Sequence, residues 1–219
     1  NTAIGYSSQV SATTGEFNTS LGSLSMGAGV TTGDGNVALG YRALRDVTDG
    51  SNNIAIGREA IPSITTGNNN VAIGYGSIGA ANSGESKNVA VGHLTLNAMD
   101  SGTDNFNTAV GYEAGKAITT GVKNTLVGAN TGDAITTGVY NTALGWDSLA
   151  ATTVGEYNVA IGGQSMLVNV DGSRNTAVGY GSLQTMEPAS ASDTYNVAVG
   201  FNAGLNVTTG VENTLIGGL

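Results

Sequence analysis

Apolar and polar residues alternate with period two in short bursts along this chain, and each burst is a version of the same five residues. The pentad opens the chain as Asn1-Thr2-Ala3-Ile4-Gly5 and occurs thirteen times. Its asparagines are Asn1, Asn18, Asn36, Asn53, Asn70, Asn88, Asn107, Asn124, Asn141, Asn158, Asn175, Asn196 and Asn213. The second place is always β-branched and the fourth always Ile, Leu or Val, as in Leu39 and Val110. The third is Ala in ten copies, Ser20 in one, and Leu126 and Leu215 in two. The fifth is glycine throughout, including Gly22, Gly57, Gly74, Gly111, Gly128, Gly145, Gly162 and Gly179. Each pentad therefore predicts a short strand with one aliphatic face and one face of Asn, Ala and Gly. The aliphatic face is expected to fill the interior. The small face is expected to let another backbone come close, against a second chain or across the fold within one subunit.

The residues between pentads repeat as well. All twelve aromatic residues adjoin a pentad, either after its glycine (Tyr41, Trp146, Phe201) or before its asparagine (Phe106, Tyr140, Tyr157). By parity both places lie on the aliphatic side. The third residue beyond the glycine is small (Ala43, Ser77, Thr131) and the next is usually aliphatic (Leu44, Ile61, Leu149, Leu183), so a second short strand is expected there. A Thr-Thr-Gly turn follows, intact at residues 13–15, 31–33, 65–67, 119–121, 136–138 and 208–210, its glycine suited to a positive-φ position.

Eight of the twelve pentad-to-pentad steps are 17 residues, and the array fills residues 1–219 as one repeat domain. The largest insertion surrounds Glu187-Pro188-Ala189-Ser190. A unit this small buries its apolar residues only by stacking on identical neighbours, at about 4.8 Å per strand. The expectation is an all-β chain, a parallel β-solenoid or β-roll of thirteen ~17-residue repeats, forming a rod on the order of 60 Å long. Stacked asparagines would satisfy one another as an amide ladder. An α-solenoid is excluded, because glycine at this density costs about 1 kcal/mol per helical site.

Composition narrows the function classes. Glycine supplies 35 of 219 residues, without the period of three that collagen needs, and cysteine is absent, which excludes a disulfide scaffold. The net charge is −9, with seven basic residues scattered along the chain. Nucleic-acid binding and polybasic attachment to lipid both need clustered cations, so neither is expected. No apolar run is long enough to insert into a membrane as a helix. The charge suits a neutral partner such as a glycan or another protein. The chain opens in repeat register without an initiator methionine, as expected of a segment from a longer fibre protein.

Candidate chemistry is thin, and no enzyme activity, cofactor or metal is expected. His93 stands at a variable aromatic place with no nucleophile arranged about it. Residues 74–79 match the dinucleotide fingerprint by letter, but that motif needs a following helix. Asp34, Asp49 and Asp171 sit near turn glycines without recurring as calcium-roll ligands do. Asn18-Thr19-Ser20 and Asn206-Val207-Thr208 are formal glycosylation sequons. Threonine rows raise an ice-binding surface as a minor reading, interrupted at Val47-Thr48-Asp49-Gly50. A β-helical polysaccharide-degrading enzyme is another, lacking a localised carboxylate pair.

The Asn-Thr-Ala-Val-Gly-Tyr pentads with Thr-Thr-Gly turns resemble the repeats of phage tail-fibre proteins, and also the head repeats of trimeric autotransporter adhesins. The resemblance covers the whole chain. It implies a left-handed parallel β-roll assembled as a homotrimer, located outside the cell on a virion tail fibre or a bacterial surface. It further implies a structural shaft or head presenting a receptor-binding or adhesive element, with a host glycan or protein as partner. The alternative is a bacterial adhesin head that itself binds host or matrix surfaces. The ~17-residue period departs from the roughly 14-residue adhesin repeat and favours the tail-fibre comparison.

Overall fold

Each pentad contributes its three central residues to a strand, and within each compact unit the strands pair in parallel with the equivalent strand of the next repeat. The computed structural model describes residues 1–27, 29, 31–188 and 190–218. Ala189, in the largest insertion, lies outside the described residues. Two compact units divide the chain, residues 1–107 and 108–219. In the first, β1 (Thr2–Ile4), β2 (Thr19–Leu21), β3 (Val37–Leu39), β4 (Ile54–Ile56), β5 (Val71–Ile73) and β6 (Val89–Val91) stack in chain order. The second unit stacks β7 (Thr108–Val110), β8 (Thr125–Val127), β9 (Thr142–Leu144), β10 (Val159–Ile161), β12 (Thr176–Val178), β14 (Val197–Val199) and β15 (Thr214–Ile216). Its remaining strands, β11 (Gly172–Ser173) and β13 (Ser192–Asp193), pair beside the largest insertion. Register is like on like: Ala38 faces Ala55, and Ala55 faces Ala72. No helix occurs among the described residues, so both units are parallel β-solenoids.

The strand faces are the reverse of what alternation alone predicts. Ala38, Ala55, Ala72, Ala109, Ala160 and Ala177 are fully buried, and so are the pentad asparagines between the terminal ones. The branched second and fourth places face outward: Leu144 is 48% exposed and Ile73 36%. The aromatic flanks lie outside with them, as parity requires.

The bulk of the core comes from the turns. Ala43 and Leu44 are both fully buried, as are Ala60 with Ile61 and Ser148 with Leu149. Two consecutive inward residues are incompatible with a regular strand, which alternates its faces. The expected second strand is instead a tight turn in which alternate residues are left-handed, such as Arg42 (φ 56°) and Leu44 (φ 47°). Ile61 adopts φ 45° there, unusual for a β-branched residue. Most turns drive one large side chain inward over the pentad alanine, such as Leu44, Ile61, Leu96 and Leu149, and residues such as Ile64, Met99, Ile118 and Ile135 close the third side. The strand must then be small inside, because the opposite wall already carries the volume.

The two leucines at the third pentad place obey this rule. Gly132, like Gly115 in the turn before it, stands where most turns carry Leu, Ile or Met, and a Cβ there would lie 3.0 Å from Cδ2 of Leu126. Similarly, a Cβ on Gly204 would lie 2.7 Å from Cδ1 of Leu215. In both, a large strand side chain stands against a turn glycine that leaves it room.

The Thr-Thr-Gly glycines also differ from expectation. Gly15, Gly33, Gly67, Gly121, Gly138 and Gly210 are outside the positive-φ set. Close stacking requires them: a Cβ on Gly121 would sit 2.6 Å from the carbonyl oxygen of Gly138 in the next coil. The residue that does turn left-handed precedes each asparagine, as at Tyr140 (φ 56°) and Tyr157 (φ 55°).

Candidate interaction face

The asparagine column is an internal structural element. Asn18, Asn53, Asn70, Asn107, Asn124, Asn141, Asn158 and Asn175 are all buried. Asn53 Nδ2 donates to the Gly67 carbonyl (2.8 Å), and Asn53 Oδ1 accepts the backbone N–H of Asn70 (3.0 Å). In the second unit Asn141 Nδ2 donates to Gly155 O (2.8 Å), and Asn158 N–H donates to Asn141 Oδ1 (3.0 Å). Each amide thus joins its own coil to the next strand and to the next turn. Gly22, Gly57, Gly74, Gly111, Gly128, Gly145, Gly162 and Gly179 end the strands with φ between 128° and 141°, a region closed to residues bearing Cβ. At Gly111 a Cβ would also collide with the Gly128 carbonyl.

The outward face is chemically different. Its two aliphatic columns are flanked by aromatic columns, one before and one after the pentad. In the leading column of the second unit, Tyr140 and Tyr157 stack at 4.9 Å and 7°. Lys123 caps Tyr140 at 4.7 Å from the ring, donating to its hydroxyl at 2.6 Å. Arg174 lies 4.7 Å from the Tyr157 ring and 5.9 Å from that of Tyr195. In the trailing column, Tyr180 stacks on Phe201 at 5.6 Å, while in the first unit Arg58 lies 5.4 Å from the Tyr75 ring. Parity foresaw the aromatic placement; the cation–ring interleaving depends on which residues stack, and a single repeat does not reveal it.

The remaining candidates fall into ordinary structural settings. His93 tilts against Tyr75 at 5.3 Å. Residues 74–79 run from a strand end into a turn, with no helix following. Asp34 Oδ1 accepts the Glu16 N–H at 2.6 Å, Asp49 takes the Thr32 hydroxyl, and Asp171 meets the Thr153 hydroxyl at 3.3 Å. No group of three or more His, Cys, Asp or Glu side chains suited to a metal occurs among the described residues. Asn18 has its amide committed to Gly33 O, whereas Asn206 is exposed. All seven cations are engaged: Arg42, Arg45, Arg58, Lys87, Lys116 and Arg174 reach carboxylates within 4.0 Å, and Lys123 meets Tyr140. A groove of about 440 Å³ beside the largest insertion is lined in part by Glu156 and Asp193. Asp193 is bound by Arg174 Nε at 2.9 Å and by the Tyr195 hydroxyl at 3.1 Å.

Two features escape sequence reasoning. Glu85 is fully buried, its carboxylate accepting N–H groups of Ser83, Ser101 and Gly102 at 3.2, 3.0 and 2.6 Å. It staples the turns of two coils where the repeat spacing lengthens, and that irregular spacing was its only signal. The other is Asp133, whose carboxyl is pushed up by partial burial, with Asp147 and Glu113 adding to the shift and its own backbone hydrogen bond and Lys116 opposing it.

The chain matches no protein-family model, no curated protein and no solved structure. No helix among the described residues is long and apolar enough to cross a membrane.

Proposed function

We propose that the chain is the shaft or head segment of an extracellular homotrimeric fibre of phage tail-fibre type, presenting a receptor-binding or adhesive element. The observation that carries this reading is the outward strand face. In the second unit Leu144 is 48% exposed and Val199 38%, and exposed aromatic rings border them. Contiguous apolar surface of this kind marks an interaction site. Because the asparagine–alanine face is consumed inside the subunit, the aliphatic columns are the surface left for other copies. The repeat resemblance supplies the number three and the fibre context. A regular stack also suits a load-bearing shaft, since each coil is tied to the next by strand pairing and by an asparagine amide.

Sedimentation of the full chain at micromolar concentration tests the reading. The expected particle has three times the 21.7 kDa chain mass. Leu144→Glu, at an outward position where a charge costs the monomer little, should shift it toward monomer with an unchanged far-UV spectrum. A wild-type chain that sediments as a monomer would sink the trimer.

A further inference from the structure

Trp146 is the chain's only tryptophan, 52% exposed in the trailing aromatic column. Its column neighbours in adjacent coils are Ala129 and Gly163, both small. Tyr180 is held over Gly163, its hydroxyl donating to Gln164 Oε1 at 2.8 Å. A Cβ on Gly163 would lie 3.3 Å from the Tyr180 ring. On the other side, backbone pairing of Asp147 N–H to Ala129 O (3.1 Å) and of Asn130 N–H to Tyr112 O (2.8 Å) puts Ala129, and then Tyr112, next in the same column. Rings two coils apart are about 10 Å apart along the stack. Contact distances of roughly 3.5–4.0 Å on each side leave room for one ring. No ring, cation or hydrogen-bond partner engages the indole among the described residues, unlike Tyr140, Tyr157, Tyr180 and Phe201.

The rim of this slot is polar. Asn130 follows Ala129 and Asp147 follows Trp146, and Asn130 Nδ2 donates to Asp147 Oδ1 at 3.2 Å. That leaves Asp147 Oδ2 and Asn130 Oδ1 as acceptors. Glu113, beside Tyr112, is occupied by Lys116 at 2.9 Å. We propose that Tyr112, Ala129 and Trp146 form a slot for one pyranose ring of a neutral saccharide. The C–H face of the sugar meets the electron-rich face of the indole, and its hydroxyls donate to Asp147 and Asn130. The acidic rim and the net charge of −9 disfavour uronates and phosphorylated ligands. The proposal takes its biological setting from the fibre reading, but its measurement does not depend on oligomeric state.

With one tryptophan, emission of the full chain reports on the slot directly. Titration with cellotetraose, maltotetraose and chitotetraose should give a saturable emission change for at least one. Tetragalacturonate should give none. Ala129→Phe restores the ring that neighbouring coils carry at this place, so it fills the slot while suiting the fold. It should weaken the response at least tenfold with unchanged melting. No response to any neutral tetrasaccharide, an equal response in Ala129→Phe, or an equal response to tetragalacturonate overturns the proposal. So does an indole that acrylamide cannot quench in the unliganded chain, because another copy then covers it. That last result leaves the trimer, measured by sedimentation, intact.

Discussion

At the scale of single residues, the asparagine amide carries more of the fold than its size suggests. Asn141 satisfies one buried donor and one buried acceptor in the following coil. Replacing it with alanine strands both the Gly155 carbonyl and the Asn158 N–H, and each unmet buried group costs about 1–3 kcal/mol. Asn141→Ala should therefore lower unfolding stability by about 2–6 kcal/mol, read from denaturant midpoints. Asp133 contributes with opposite sign. Its carboxyl titrates above the ordinary value of 3.8, chiefly through partial burial, so the folded state holds the proton more tightly than the unfolded state. Stability from this group is present at low pH and declines as pH rises through the window above 3.8. Asp133→Asn should therefore melt higher than wild type near neutral pH, with the difference shrinking as pH falls below that window. An equal difference at both pH values would show that charge is not the cause.

At the scale of the coil, strand and turn divide the volume between them. Leu126 and Gly132 are one such exchange, and Leu215 and Gly204 another. Leu126→Ala alone should cost about 2–5 kcal/mol through the cavity it leaves. Gly132→Leu alone overfills the same space. The left-handed turn place of Gly132 (φ 57°) is occupied by leucine elsewhere, as at Leu149 (φ 52°). The double variant should therefore recover most of the loss, and a double-mutant cycle from urea titrations measures the coupling. Additive losses would mean that the two places do not share volume. This exchange was the one sign in the sequence that the alanine face points inward: the only two leucines at the third place, Leu126 and Leu215, stand beside turn glycines (Gly115 and Gly132, and Gly204) where most turns carry Leu, Ile or Met. The Trp146 slot was less legible, since it needs the residues of three coils placed side by side.

At the scale of the whole molecule, the outward aliphatic columns and aromatic ladders set what the chain can do. The expected trimer, and its loss in Leu144→Glu, belong to this scale, as does the saccharide slot at the margin of the same face. Period, strand positions and parallel stacking were determined by the sequence itself. A pentad repeated every ~17 residues, with glycine ending every copy, leaves few ways to pair backbone groups other than like on like. Inside and outside were decided only in three dimensions. A three-residue strand presents two faces, and hydrophobicity favours burying the aliphatic one. In the folded coil, left-handed turns send Leu, Ile and Met into a space too narrow for branched strand residues as well. Alanine and a hydrogen-bonded asparagine fit there, and the aliphatic residues are turned outward, where a partner can cover them.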